Sequence, residues 1–160
     1  MLRAGLSVAA IVVVVDQITK WWILGVISPG RGVVVTDFFN IVLVYNPGIS
    51  FSLFQSDTWG RWVFSILALA IVVGLTIWLR RAETKWVAIA LGGVIGGALG
   101  NTVDRILHGA VVDFLDFHIA GYHWPAFNVA DSAIVVGVVM ILAEGLIFRS
   151  RKPVDGDDHT

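Results

Sequence analysis

Four long apolar stretches, separated by short polar or mixed segments, organise this chain. Ala4 to Ile27 is apolar apart from Ser7, Asp16, Gln17, Thr19 and Lys20. Trp62 to Leu79 and Trp86 to Val103 each run 18 residues without a charge. Val129 to Phe148 carries only Asp131 near its start and Glu144 near its end. A membrane-spanning helix needs about 20 residues, so the pattern predicts helices over about 4–27, 60–79, 86–106 and 129–148. Arg3 before an apolar run is compatible with a signal peptide. No small-x-small cleavage site follows, and Trp21-Trp22 marks a membrane interface, so an uncleaved helix is expected. The intervening segments differ in kind. Residues 31–54 are rich in β-branched and aromatic side chains, and Val33–Val35, Phe38–Tyr45 and Ile49–Phe54 read as short strands. Asn46-Pro47-Gly48 supplies turn chemistry. The 80–85 link is minimal, and His108 to Phe127 reads as a second outer loop broken by Gly109, Gly121 and Pro125.

Composition sharpens this picture. Charged residues make up 14% of the chain, against roughly 25% in soluble domains, and mean hydropathy is +0.83. The expected class is an all-α polytopic membrane protein: four transmembrane helices with a small extracytoplasmic β-cradle at about 31–54. One domain covers 1–152, and the acidic tail 153–160 is expected to be disordered. A net charge of -1 gives no field to recruit nucleic acid. The absence of Cys excludes disulfides, thiolate nucleophiles and thiolate metal sites. Arg3, Arg80, Arg81, Lys85, Arg149, Arg151 and Lys152 fall on one side of the predicted spans, so both termini are expected in the cytoplasm.

Charges within a bilayer cost about 2.5–3.5 kcal/mol each on insertion scales and need a reason. At about 1.5 Å per residue, Asp16 lies about 18 Å across the membrane, Asn101 about 22 Å, Lys20 about 24 Å, and Asp104 and Arg105 about 27–29 Å. Asn128 and Asp131 begin the fourth span at the outer face, and Asp113 follows the third. Polar groups from three helices and a loop thus share one depth, which predicts a single polar site near the outer interface. Asp16 and Lys20 have the i, i+4 spacing and order of a helical ion pair. Asn101 and Arg105 share a face, whereas Asp104 points elsewhere and reads either as an interface anchor only or as a member of the polar site. Gly92, Gly96 and Gly100, with Gly93 and Gly97, form the small-xxx-small pattern of a central packing helix. Asp116, His118 and His123 read as solvated loop residues, Glu144 is given no role, and Trp59, Trp62 and Trp86 read as interface anchors.

Two acids, Asp113 and Asp131, flank the second outer loop. Carboxylates sharing a site split their titration, so that one acts as base while its neighbour holds a proton. Such a pair activates water against a peptide carbonyl without a metal. His118 and His123 do not form a metalloprotease motif, Ser132 has no nucleophile elbow, and no phosphate loop is present. Asp131 and Asn128 also suit the start of a helix as caps.

The chain resembles lipoprotein signal peptidase (signal peptidase II), a bacterial aspartic peptidase family. The resemblance rests on Asp16-Gln-Ile-Thr-Lys20, Asn46-Pro-Gly-Ile-Ser-Phe51, Gly97-Ala-Leu-Gly-Asn-Thr-Val-Asp-Arg105, Val111-Val-Asp-Phe114 and Phe127-Asn-Val-Ala-Asp131, in the family's order. Ile49 stands where the family often has a smaller residue, with consequences for the shape of the substrate groove. The resemblance implies an endopeptidase that removes the signal peptide from diacylglyceryl-modified prolipoproteins, cleaving before the lipidated Cys. It implies Asp113 and Asp131 as the catalytic pair, with Asn46, Asn101, Arg105, Asn128, Asp16 and Lys20 as further polar site positions; Gly48 is a turn residue that joins them if its loop closes on substrate. It also implies no cofactor or metal, a monomer in the bacterial inner membrane with its site at the outer leaflet, contact with membrane lipid, and inhibition by globomycin-type lipopeptides. Two other readings compete: a subunit of a small ion-coupled transporter, which predicts polar groups spread across the membrane, and an assembly protein whose glycine-rich helix packs on a partner.

Overall fold

The computed structural model describes residues 1–48 and 58–149, without the side chains of 58, 59 and 147–149. The expected strand Ile49–Phe54, the effect of Ile49, the Trp59 anchor, the side chains of Arg149, Arg151 and Lys152, and the tail from Pro153 lie outside these residues. The elements run α1 (Leu2–Val26), β1 (Gly32–Thr36), β2 (Phe39–Asn46), α2 (Thr58–Arg80), α3 (Lys85–His108), β3 (Val111–Ile119), β4 (Tyr122–His123) and α4 (Val129–Arg149). All four helices are long and apolar enough to cross a membrane. A helix satisfies its own backbone polar groups, which hydrocarbon cannot do for it.

The third helix is the centre of the bundle. Two-thirds of its most apolar window (67%) is buried within the protein, against 11–17% for the other three helices. Its two glycine rows explain this. A Cβ on Gly92 would collide with the Gly5 carbonyl of α1, and one on Gly96 would lie 2.6 Å from the Ala9 carbonyl. On the adjacent row, a Cβ on Gly97 would collide with the Ala130 carbonyl of α4. Gly137 of α4 returns the contact, its missing Cβ lying 2.6 Å from the Ala90 carbonyl. Both neighbours therefore approach α3 backbone to backbone. The outward faces of α1, α2 and α4 stay apolar and exposed, as at Ile66, Val73, Val135 and Leu142. Thr84 caps α3 by accepting from the Val87 N–H (3.1 Å) and donates to Glu144 of α4 (2.8 Å). Glu144 thus ties two helices together, a role its isolated place in the sequence does not reveal. Trp86 likewise bonds the Met140 carbonyl (2.8 Å).

The sheet corrects the expectation for 108–127. That segment is not only a loop: β3 lies inside an antiparallel sheet of order β1-β2-β3-β4. Gly109 stops α3 in the left-handed conformation (φ 77°) and the strand begins two residues later. Asp113 and Asp116 interrupt the apolar alternation that would have marked it as a strand. Val112 and Phe114 pack with Ile23 and Leu43, seating the sheet on the end of α1. Asp116 and His123 are likewise not simply solvated. Asp116 is buried, accepts from Asn40 (2.9 Å) and pairs with His123 Nδ1 (2.8 Å), while His118 and His123 stack at 4.7 Å across β3 and β4. Burial pushes the Asp116 carboxyl up, but the bonds from Asn40 and His123 outweigh it and hold it below the ordinary range.

Packing of this kind predicts a contrast among glycines. Gly96→Ala should destabilise the protein by about 1–3 kcal/mol, the usual cost of overpacking. Gly74→Ala, with nothing within 4 Å of its added methyl, should be neutral or stabilising by up to about 1 kcal/mol. Thermal melts in one detergent compare the two.

Candidate active site

A connected set of polar side chains fills the junction of α1, α3, α4 and the sheet. Asn128 sits at its middle, fully buried just before α4. Its side-chain oxygen accepts from the Asp131 N–H (2.9 Å), and the Asp131 carboxylate accepts from the Asn128 N–H (3.2 Å). This reciprocal pair is a capping box, with Asp in the place usually held by Glu. The expected cap and the expected site are thus the same residues. The Asn128 amide also donates to Asp113 Oδ1 (2.7 Å) and Asn101 Oδ1 (3.2 Å). One side chain therefore contacts both parts of the candidate pair.

The other groups complete the frame. Asn101 of α3 donates to Asp131 Oδ1 (2.7 Å). Asn46 of β2 donates to Asp113 Oδ2 (2.9 Å), and its oxygen accepts from the Gly48 N–H (2.9 Å). A bulge explains how Asn46 reaches Asp113. Ile41 pairs with Leu115 but Val44 with Asp113, so β2 holds one extra residue and its following side chains turn onto the Asp113 face. Asn46, opposite Val111, then lies diagonal to Asp113. Asp16 and Lys20 form the expected pair at 2.8 Å, and Lys20 also donates to Asn101 (3.0 Å).

Asp104 is not an interface anchor. It is 1% exposed and pairs with Lys20 at 2.7 Å. It also accepts from Gln17 (2.9 Å) and from the Val112 N–H (3.1 Å). A buried carboxylate needs such partners, so the same charge that suggests an interface also fits a sealed cluster. Gln17 is the residue that sequence reasoning left without a separate role, and for Asp104 the site reading holds over the interface one. The signal was present: the glycine row 92, 96, 100 facing α1 continues at 104.

Arg105 and Gly48 sit at the margin. Arg105 reaches only its own helix, donating to the Asn101 carbonyl at 3.5 Å, and makes no ion pair among the described residues. Its Nε is buried without a partner there, and its guanidinium lies 5.9 Å from the Phe64 ring centroid. Gly48 has φ 88°, and a Cβ on it would lie 3.7 Å from an Arg105 nitrogen. Beside Asp131 opens an apolar groove of ≈ 630 Å³, lined by Trp124, Phe127, Ser132, Val135 and Val136 among others.

The electrostatics separate the two acids by setting. Asp113 is 1% exposed, whereas Asp131 is partly exposed at the groove. Burial, reinforced by the charge of Asp131, pushes the Asp113 carboxyl up to about 6 against the hydrogen bonds from Asn46 and Asn128.

Comparison with known proteins decides the affiliation. Residues 8–147 match the family model described as Signal peptidase (SPase) II. The chain belongs to the signal peptidase II family. The lipoprotein signal peptidase of Janthinobacterium sp. (strain Marseille) is 46% identical over 88% of this chain and 87% of its own length. That of Aeromonas hydrophila subsp. hydrophila is 47% identical over 94% and 91%. A bacterial membrane enzyme solved by the in meso method at 2.3 Å resolution matches with TM-score 0.81 and 32% identity, covering 95% of this chain and 93% of that one. A second, at 1.9 Å, gives TM-score 0.79 and 33% identity over 89% and 92%. A signal peptidase II affiliation makes the protein a membrane-embedded peptidase and displaces the transporter and assembly readings.

The raised Asp113 carboxyl has a stability consequence. Unfolded, it ionises near 3.8; folded, near 6. Between those values the folded state binds more protons, so the contribution of Asp113 to stability falls as pH rises through the window. Asp113→Asn removes that cost. Its melting temperature should exceed wild type at pH 7.5, and the gap should shrink towards pH 4, where wild-type Asp113 is protonated.

Proposed function

We propose that this chain is an aspartic endopeptidase of the bacterial inner membrane. It removes the signal peptide from diacylglyceryl-modified prolipoproteins, cleaving just before the lipidated Cys. The observation that carries this reading is Asn128, whose side chain donates to the Asp113 carboxylate and accepts from the Asp131 backbone N–H while its own N–H donates to the Asp131 carboxylate. The names of the similar proteins support the substrate class.

In this mechanism Asp131, open to the groove, takes a proton from a water. The hydroxide adds to the scissile carbonyl while Asp113, whose burial favours its protonated form, polarises the carbonyl oxygen. The C–N bond then breaks, and the proton held by Asp131 passes to the leaving amine. Asn101 and Asn128 hold the carboxylates in place, and Asn46 holds Asp113 from the sheet side. Asp16 and Lys20 support the helices behind the pair. Arg105, whose Nε has no partner among the described residues, binds carbonyls of an extended substrate, and Gly48 lets the turn approach it closely. The apolar groove beside Asp131 suits hydrocarbon, which supports a reaction in which membrane lipid and the substrate's acyl chains meet the acids. The distribution of Lys and Arg supports cytoplasmic termini and a site at the outer leaflet. A complete site within one chain suits a monomer, and lipopeptides of the globomycin type would block it by occupying the acids.

The test is cleavage of a diacylglyceryl-modified prolipoprotein, beside its unmodified form, by purified protein in liposomes. Wild type should cleave only the lipidated substrate. Asp113→Asn and Asp131→Asn should each lose at least about 10²-fold, with folding verified by thermal melts. Near-wild-type activity in either folded variant contradicts the assignment.

A further inference from the structure

Behind the two acids lies a second, sealed cluster whose geometry the mechanism does not itself use. Lys20 is 2% exposed, Asp16 0% and Asp104 1%. An ammonium has three N–H donors, and Lys20 directs them to Asp16 Oδ2 (2.8 Å), Asp104 Oδ2 (2.7 Å) and Asn101 Oδ1 (3.0 Å). Each carboxylate also accepts one backbone N–H from another element. Asp104 accepts from Val112 (3.1 Å), the residue before Asp113. Asp16 accepts from Ala130 (2.9 Å), the residue before Asp131. Asn101, the third arm, bonds Asp131 directly (2.7 Å).

We propose that Lys20, Asp16 and Asp104 form a brace of positioning residues that sets the separation of Asp113 and Asp131. The inference rests on the dyad reading above and adds what fixes its spacing. The two acids come from a strand and a helix joined near them by a single antiparallel bridge, Leu115 with Phe127, and by the Asn128 side chain, and the brace holds the face behind that junction. Lys20 links the two through one carboxylate on each side. The brace is a matter of geometry more than of stability, since buried ion pairs contribute little over apolar packing. Gly100 is part of it: a Cβ there would lie 2.6 Å from Asp16 Oδ2, so only glycine lets that carboxylate reach Lys20. Lys20 is not replaceable by arginine, whose planar fork cannot direct three donors to these three acceptors.

The experiment measures kcat and KM on lipidated substrate for Asp104→Ala, Asp104→Asn and Gly100→Ala, with thermal melts. Asp104→Ala frees the Val112 N–H, whereas asparagine keeps an oxygen in that place. Gly100→Ala retains every charged group and displaces only the tip of Asp16. Displacing reacting groups by about 1 Å can cost about 10²-fold. The brace predicts kcat lower by about 10–100-fold in Asp104→Ala and Gly100→Ala, KM within about twofold, and recovery of most of kcat in Asp104→Asn. If Asp104→Ala does not fold, Gly100→Ala decides. Unchanged kcat in folded Gly100→Ala overturns the brace. So does a joint loss of kcat, KM and melting temperature in which asparagine is as damaging as alanine. Activity surviving in Asp113→Asn or Asp131→Asn would instead defeat the dyad reading on which the brace rests.

Discussion

A charge placed within an apolar bundle must find its partners inside the protein. The sheet-bearing end of this molecule is arranged around that constraint. Lys20 spends all its donors on Asp16, Asp104 and Asn101. Those three then fix the backbone or side chain of the elements that carry Asp113 and Asp131. The arrangement requires helices close enough for short side chains to meet, which the two glycine rows of α3 provide. Close packing and polar satisfaction are therefore one requirement: without Gly96 and Gly100, Asp16 could not sit against α3.

Much of this was legible in the sequence because membrane helices carry few polar residues and each is informative. Helix rise and chain order put Asp16, Lys20, Asn101, Asp104, Arg105, Asp113, Asn128 and Asp131 near one level, and all but Arg105 are joined through side-chain hydrogen bonds or ion pairs. The central role of α3 followed from its glycine spacing. The register of those same glycines held more. Continuing 92, 96, 100 by four gives Asp104, which faces α1, and continuing 93, 97 gives Asn101 and Arg105. Asp104 stayed ambiguous because a charge beside Arg105 near a membrane surface also has an ordinary explanation in solvation. The strand β3 escaped for a different reason. Its polar residues exist to meet partners in Asn46, Asn128, Asn40 and His123, and none of these is near in sequence except His123. Pairings of that kind, and the bulge that turns Asn46 towards Asp113, depend on tertiary register and leave no local pattern.

The two acids share a site but not a setting. Asp113 is enclosed by sheet and helix ends, while Asp131 borders an apolar groove. Different environments around two identical side chains are what the proposed division into general acid and general base requires. Asn128 enforces the relation between them. Its amide can donate to Asp113 only while its carbonyl accepts from Asp131, so the orientation of one side chain serves both.

The central claim is that one proton, held on Asp113 by its burial, is required for catalysis. The most direct test is the pH dependence of kcat/KM for wild type and Asn46→Ala, since kcat/KM reports the free enzyme. The Asn46 bond lowers the Asp113 carboxyl from where burial would place it, with the wild-type value at about 6. The account predicts an alkaline limb governed by Asp113 that moves to higher pH in Asn46→Ala. An alkaline limb at the same pH in both proteins, or none in either, would contradict it.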